Sequence, residues 1–266
     1  DVESRGLGDV YKRQMYLYSK LSSSMKKADG VDIIVSFLME SGVKMILKDL
    51  DQALQRGAKI RILTGNYLGI TQPSALYLIK NKLGEQVDLR FYNDPKRSFH
   101  PKAYMFHYPA YSEMYIGSSN VSRSALTSGI EWNYRFNSMT DPESYQKFYE
   151  TFEELFEHHS IVIDGEELKR YSKNWHRPAV AKDLDKYDQE DEQDTNVRMI
   201  YEPRGAQIEV LCALEATRAE GAKRALVQAA TGVGKTCIAA FDSKSYARVL
   251  FLSLIHISEP TRLDVI

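Results

Sequence analysis

Apolar positions along this chain change their period in a regular way. Residues 31–37, Val-Asp-Ile-Ile-Val-Ser-Phe, form a short β-branched run that suits a buried strand. Val43, Ile46, Leu47, Leu50 and Leu54 then recur at helical spacing, with Ser41 placed to cap that helix and Gly57 to end it. Residues 59–63 predict a second strand closed by Gly65-Asn66. Pro73 suits the first turn of a helix running to about Leu83, and residues 87–92 predict a third strand. A helix over residues 15–28 opens the series. Strands alternating with helices predict an α/β layered sheet.

The rhythm changes at His100. Residues 102–106, 113–116 and 130–136 read as closely spaced strands on short loops. Residues 145–158 return to a helical pattern rich in aromatics (Phe148, Phe152, Leu155, Phe156), which closes the domain. Trp132 and Trp175 are expected in the core. Residues 182–196 carry Asp183, Asp185, Asp188, Glu190, Asp191, Glu192 and Asp194 against two lysines, the composition of a solvated linker. Beyond it, Pro203-Arg204 leads into a helix with Ile208, Leu211 and Leu214. Residues 224–228 read as a strand, residues from Thr236 onward as a helix, and residues 248–251 as the start of another strand.

The two ends read differently from the rest. Residues 4–14 (SRGLGDVYKRQ) and 252–262 (LSLIHISEPTR) can be encoded by opposite strands of one DNA segment, and Asp1-Val-Glu3 is likewise antisense to Leu263-Asp-Val265. That symmetry resembles a translated library adapter, and such segments are set aside in fold reasoning. The expected organisation is therefore adapter over 1–14 and 252–266, a first domain over 15–160, a connecting segment with the acidic linker over 161–197, and the beginning of a second domain over 198–251.

Composition narrows the classes. Apolar content of 43% and charged content of 27% are ordinary globular values. A formal net charge of −1 confines any anion-binding surface to a local patch. Two cysteines, Cys212 and Cys237, are too few for a disulfide framework, and cytoplasmic residence without membrane association is expected.

Two clusters carry candidate chemistry. The first is His100-Pro-Lys102, then Gly117-Ser-Ser-Asn120, then Glu131. A phosphodiester repels nucleophiles, so a site must offer a nucleophile, a cation for the non-bridging oxygens and an acid for the leaving group. His100 can attack phosphorus while Lys102, two residues on and on the same face of a strand, holds an oxygen. Asn120 and Ser118 can donate to the same phosphate, and Glu131 can orient a histidine and assist proton transfer. Lys96, Arg97 and Arg123 flank the cluster and could meet backbone phosphates. His-x-Lys, Gly-Ser-x-Asn and Glu in this order resemble the phospholipase D-like superfamily in its nuclease branch, over about residues 15–160. The resemblance implies a covalent phosphohistidine on His100, catalysis without a metal ion, and two half-sites meeting in a homodimer. The fuller family pattern has Asp five residues after the Lys, where this chain has His107.

The second cluster is Ala230-Thr-Gly-Val-Gly-Lys-Thr236, between a predicted strand and a predicted helix. This is a phosphate loop: Thr231, Gly232, Val233 and Gly234 wrap the phosphates with backbone N–H groups, Lys235 reaches the β- and γ-phosphates, and the Thr236 hydroxyl binds Mg²⁺. Ala229 stands where the general pattern has its first Gly. Residues 203–236 resemble the start of superfamily 2 DEAD/DEAH-type helicases, which implies a RecA-like α/β domain, incomplete here, that binds ATP with Mg²⁺, with Gln207 reading adenine. The family's catalytic Asp-Glu motif and arginine finger would lie beyond Phe251, so no ATP hydrolysis by this chain is expected. Together the clusters predict a DNA phosphodiesterase joined to an ATP-driven motor, as in restriction, defence or repair. A DNA-docking and dimerisation module with a dead site, and a lipid-processing enzyme, are the other readings.

Overall fold

A computed structural model describes residues 16–250 except 67, 68, 95, 177, 179–202, 231 and 245. The expected adapter segments, the acidic linker and Thr231 lie outside the described residues.

Seven strands form one mixed sheet in the order β6-β5-β4-β1-β2-β3-β7. Its centre is parallel: β1 (Gly30–Val35), β2 (Lys59–Thr64) and β3 (Val87–Tyr92) pair side by side. They are joined over one face by α2 (Glu40–Gln55) and α3 (Pro73–Leu83), the crossover that parallel neighbours require. Every residue of β1 is buried, as expected of a strand covered on both faces. On the other side β4 (Lys102–His107), β5 (Ser112–Gly117) and β6 (Asn133–Asn137) follow as antiparallel neighbours.

Side-chain alternation sorts the core into two layers. Val31, Ile33 and Val35 of β1, with Tyr104 and Phe106 of β4, pack against Leu21 and Met25 of α1 (Leu17–Met25), Ile46 and Leu50 of α2, and Leu76 and Ile79 of α3. On the opposite face Ile34, Met105, Met114 and Phe136 meet Tyr145, Phe152 and Phe156 of α5 (Pro142–His158). Asp141 caps α5 by accepting from Ser144 N–H, and Pro142 occupies its first turn.

Several expectations are corrected. Ser41 does not cap α2: the helix begins at Glu40 behind Met39, and the Ser41 hydroxyl accepts from Arg123 N–H at 3.2 Å. The sheet continues just past residue 160. There β7 (Ser160–Val162) pairs with β3, and α6 (Gly165–Asn174) sets Leu168 into the first core layer together with Ile163. Trp132 is 83% exposed rather than in the core. In the C-terminal part, α7 (Ala206–Ala219) and α8 (Lys235–Ser243) form, but residues 224–228 and 248–250 pair with nothing and are not strands. Leu226 is 95% exposed; a hydrophobic strand has no reason to form without sheet neighbours to bury it. The helicase-like part is small and partial.

Candidate functional site

The register of the sheet brings the first cluster to one end. Lys102 opens β4 opposite Val35, the last residue of β1, so the carboxyl ends of the parallel strands and the start of β4 share an edge. This is where ligands gather in open α/β sheets. Lys102 is only 8% exposed. Its Nζ lies 2.7 Å from His100 Nδ1 and 2.9 Å from the His100 carbonyl oxygen. Among the described residues it makes no ion pair. Burial therefore pushes the Lys102 ammonium below its ordinary pKa, and the charge of Glu131 pulls partly the other way. A desolvated ammonium beside an imidazole, with no carboxylate contact, is prepared to receive an anion.

The Gly117-Ser-Ser-Asn turn is fastened at four points. Ser118 N–H donates to the Trp132 carbonyl at 3.0 Å, and its hydroxyl accepts from Trp132 N–H while donating to the Glu131 carboxylate. Asn133 Nδ2 donates to Ser119 Oγ at 2.8 Å, and Tyr104 OH donates to the Ser119 carbonyl at 3.1 Å. A side chain at Gly117 would strike the Trp132 carbonyl at 2.0 Å, so glycine is required where the two backbones meet. Asn120 is buried and its Oδ1 accepts from Phe37 N–H at 3.3 Å. That bond orients the amide so that its NH₂ points away from Phe37. The structure thus joins His100 to Lys102 and Ser118 to Glu131, and ties Asn120 to the end of β1. The supporting roles of Phe37, Tyr104 and Asn133 carried no sequence signal; they act through backbone atoms or by register across the sheet. Among the described residues, no group of three or more His, Cys, Asp and Glu side chains could hold a metal ion.

His107, which replaces the family Asp, is not at this end. It closes β4 opposite Gly30, five residues from Lys102, or about 17 Å at strand rise. Its Nε2 meets Asp32 Oδ2 at 2.7 Å and its Nδ1 meets Ser112 Oγ at 3.1 Å. Arg61 grips both Asp32 oxygens at 2.7 and 2.8 Å and reaches Glu153 at 2.7 Å. Burial raises the Asp32 pKa, but the hydrogen bonds from His107 and Arg61 outweigh it and hold the carboxyl below its usual range. The same carboxylates hold Arg61 charged. His107 therefore belongs to a partly buried network with Asp32 and Arg61 at the far end of β4 from Lys102.

In the second cluster, Gly232 and Gly234 take left-handed φ of 89° and 82° and curl the loop ahead of α8. Lys235 Nζ lies across it, donating to the Ala229 and Ala230 carbonyls at 2.9 and 3.2 Å. Gln207 Nε2 donates to the Val233 carbonyl at 2.9 Å. Thr236 is exposed at the start of α8. The described residues thus set two glycines in the loop and a lysine and a hydroxyl on the first turn of α8, the residue types that phosphate binding would use.

Comparison with known proteins gives a family match for each of the two parts of the chain. Residues 21–160 match the family described as cardiolipin synthase, PLD-like domain, and residues 200–256 match the family described as type III restriction enzyme, res subunit. No curated protein matches the chain. Among solved structures it is similar to NucT from Helicobacter pylori, at 16% identity and TM-score 0.42, over 54% of this chain and 89% of that one. It is similar to a polyphosphate kinase from Porphyromonas gingivalis at 15% identity and TM-score 0.41, over 53% of this chain and 24% of that one. A phosphatidylserine synthase from Haemophilus influenzae Rd KW20 is similar at 15% identity and TM-score 0.40, over 70% and 45%. The match over residues 21–160 spans more than half of the chain and all of the sheet but its last edge strand, and it shows the family: the chain belongs to the PLD-like family, joined to a partial segment of the helicase type.

Proposed function

We propose that the first domain cleaves DNA phosphodiesters through His100 without a metal ion, and that in the intact protein an ATP-driven motor acts on the same DNA. The observation that carries this reading is the buried Lys102 ammonium held 2.7 Å from His100 with no carboxylate contact. An arriving phosphate oxygen takes the ammonium, which releases the imidazole lone pair to attack phosphorus. The N–P bond forms as the bond to the leaving oxygen breaks. That oxygen takes a proton from the imidazolium of a second half-site, and water then opens the phosphohistidine while returning its proton to that group. The 266 residues carry one His-x-Lys pair, and a second copy of the chain is the simplest source of the second half-site. Burial lowers the Lys102 pKa, and the charge of Glu131, bonded by Ser118, partly opposes that lowering. Asn120 holds a non-bridging oxygen.

DNA is favoured over lipid as substrate by the adjoining segment, whose likeness is to a restriction-enzyme subunit. No helix among the described residues is long and apolar enough to cross a membrane. In the second cluster Lys235 and Thr236 would hold the β- and γ-phosphates and Mg²⁺ of ATP, and Gln207 the adenine. The bound nucleotide would supply the free energy for movement along DNA; this chain's residues bind and orient it. The test is cleavage of plasmid DNA in excess EDTA by the wild type and by His100→Ala. Cleavage that survives chelation and is lost in the variant is expected. Cleavage that stops on chelation, or persists in the variant, contradicts the reading.

A further inference from the structure

The two phosphate clusters share a wall. The first turn of α2 is pressed against the segment that follows Asn120: a side chain at Gly42 would lie 2.4 Å from the Val121 carbonyl carbon and 2.5 Å from Ser122 N. Met39 N–H donates to the Val121 carbonyl at 2.9 Å, and Arg123 N–H donates to Ser41 Oγ. Two residues before Met39, Phe37 N–H holds Asn120. The other side of the same turn grips the start of the helicase-type segment. Gly205 N–H donates to Glu40 Oε2 at 2.9 Å, and Lys44, paired with Glu40 Oε1 at 3.0 Å, donates to the Pro203 carbonyl at 3.2 Å. Gln207, two residues on, accepts from Arg204 N–H and donates to Val233 of the phosphate loop.

The seat is well built. Ile208 is buried, and Glu209 accepts from Ser172 Oγ of α6 at 2.7 Å. Glu40 N–H is itself satisfied by Gln72 Oε1 at 2.7 Å, so the turn is held by α3's leading loop as well. Among the described residues, a continuous run of packed backbone and hydrogen bonds therefore leads from Val233 through Gln207, Gly205, Glu40 and Phe37 to Asn120.

We propose that Glu40, on the PLD-like domain, is the link between the two clusters, and that through it nucleotide at the phosphate loop controls cleavage at His100. The proposal rests on the function given above for each cluster. In the arrangement described, the Gln207 amide is spent on Val233 and Arg204. A nucleotide that engages Gln207 must break those bonds, and the 203–205 strap tied to Glu40 moves with it. The turn then relaxes against Val121, and Asn120 is released from Phe37 toward a phosphate. Contact alone does not establish coupling; a change in one site's behaviour on filling the other does.

The test uses the full chain, measuring cleavage of a labelled oligonucleotide with and without a saturating non-hydrolysable ATP analogue, at one fixed Mg²⁺ concentration. Binding of the analogue is followed separately by calorimetry. The wild type should cleave about fivefold faster or more with the analogue, at the lower end of typical couplings. Lys235→Ala should abolish the response. Glu40→Ala should still bind and cleave but lose the response, whereas Glu40→Gln, which keeps an acceptor for Gly205, should retain it. Lys44→Ala serves as a second variant should Glu40→Ala not fold, and should weaken the response. A wild type that binds and cleaves without response overturns the proposal alone. So does an undiminished response in Glu40→Ala. A chain that binds no nucleotide, or cleaves nothing, overturns the functional reading together with this inference.

Discussion

The two ends of the sheet hold similar residues to opposite purposes. At one end the half-buried cation Arg61 is met by Asp32 and Glu153, and Asp32 is met in turn by His107. At the other end the buried cation Lys102 has an imidazole and a carbonyl but, among the described residues, no carboxylate contact. The pKa directions follow: carboxylates raise Arg61, whereas burial lowers Lys102. A fully paired network stabilises a fold; an incompletely neutralised cation costs stability and leaves affinity for an anion. The difference teaches which histidine to regard as chemical. His100 and His107 are both within reach of strand β4, and only their partners tell them apart.

That contrast can be broken by substitution, beginning with the largest effect. His100→Ala should reduce DNA cleavage at least about a thousandfold, since the covalent step loses its nucleophile, with the thermal midpoint unchanged. Lys102→Ala should cost about 10²–10³ in cleavage rate through lost charge stabilisation, and should leave stability equal or slightly improved because a desolvated charge is removed. Arg61→Met should do the reverse. Denaturant titration should show a loss of about 3 kcal/mol, because Asp32 and Glu153 are left facing each other, while the folded fraction still cleaves. A cleavage defect in Arg61→Met comparable to that of Lys102→Ala would erase the distinction.

Two smaller effects depend on pH. Asp32 titrates below its unfolded value, so its contribution is present above the ordinary carboxylate range and is lost as pH falls through the folded pKa. Asp32→Asn should flatten the acid side of the stability curve followed by urea unfolding. Glu131 raises the Lys102 pKa against the lowering by burial. Glu131→Gln should therefore move the alkaline limb of the cleavage profile to lower pH; an upward move would show that Glu131 acts elsewhere.

The parts of the fold legible in the sequence are those governed by local period. Residues 73–83 and 87–92 form the helix and strand expected of them, because their apolar spacing and the Pro73 start are local facts. What escaped depended on partners distant in the chain. The three residues of β7 are too few to show a period, and they are a strand only because β3 leaves an edge to pair. Ser41 has the chemistry of a cap, but its hydroxyl is claimed by Arg123 N–H. Residues 224–228 have strand composition, yet stay unpaired for want of neighbours. At the site, residue type singled out His100, Lys102, Ser118, Asn120 and Glu131, and the contacts of His100 with Lys102 and of Ser118 with Glu131 fall among residues legible in that way. The contacts of Asn120 with Phe37 and of Ser118 with Trp132 were not legible, being set by register across the sheet and by backbone atoms. His107 looked like a defect in the motif until the sheet placed it beside Asp32.

The central claim is that His100 forms a covalent bond to phosphorus. Its most direct test is to quench a reaction with end-labelled DNA in excess EDTA under alkaline denaturing conditions, which preserve phosphohistidine, and to look for label migrating with the protein. A labelled protein band that rises and decays in the wild type, maps to the peptide holding His100 and is absent from His100→Ala is the predicted result. Cleavage without such a band, or a band that persists in His100→Ala, would contradict the account.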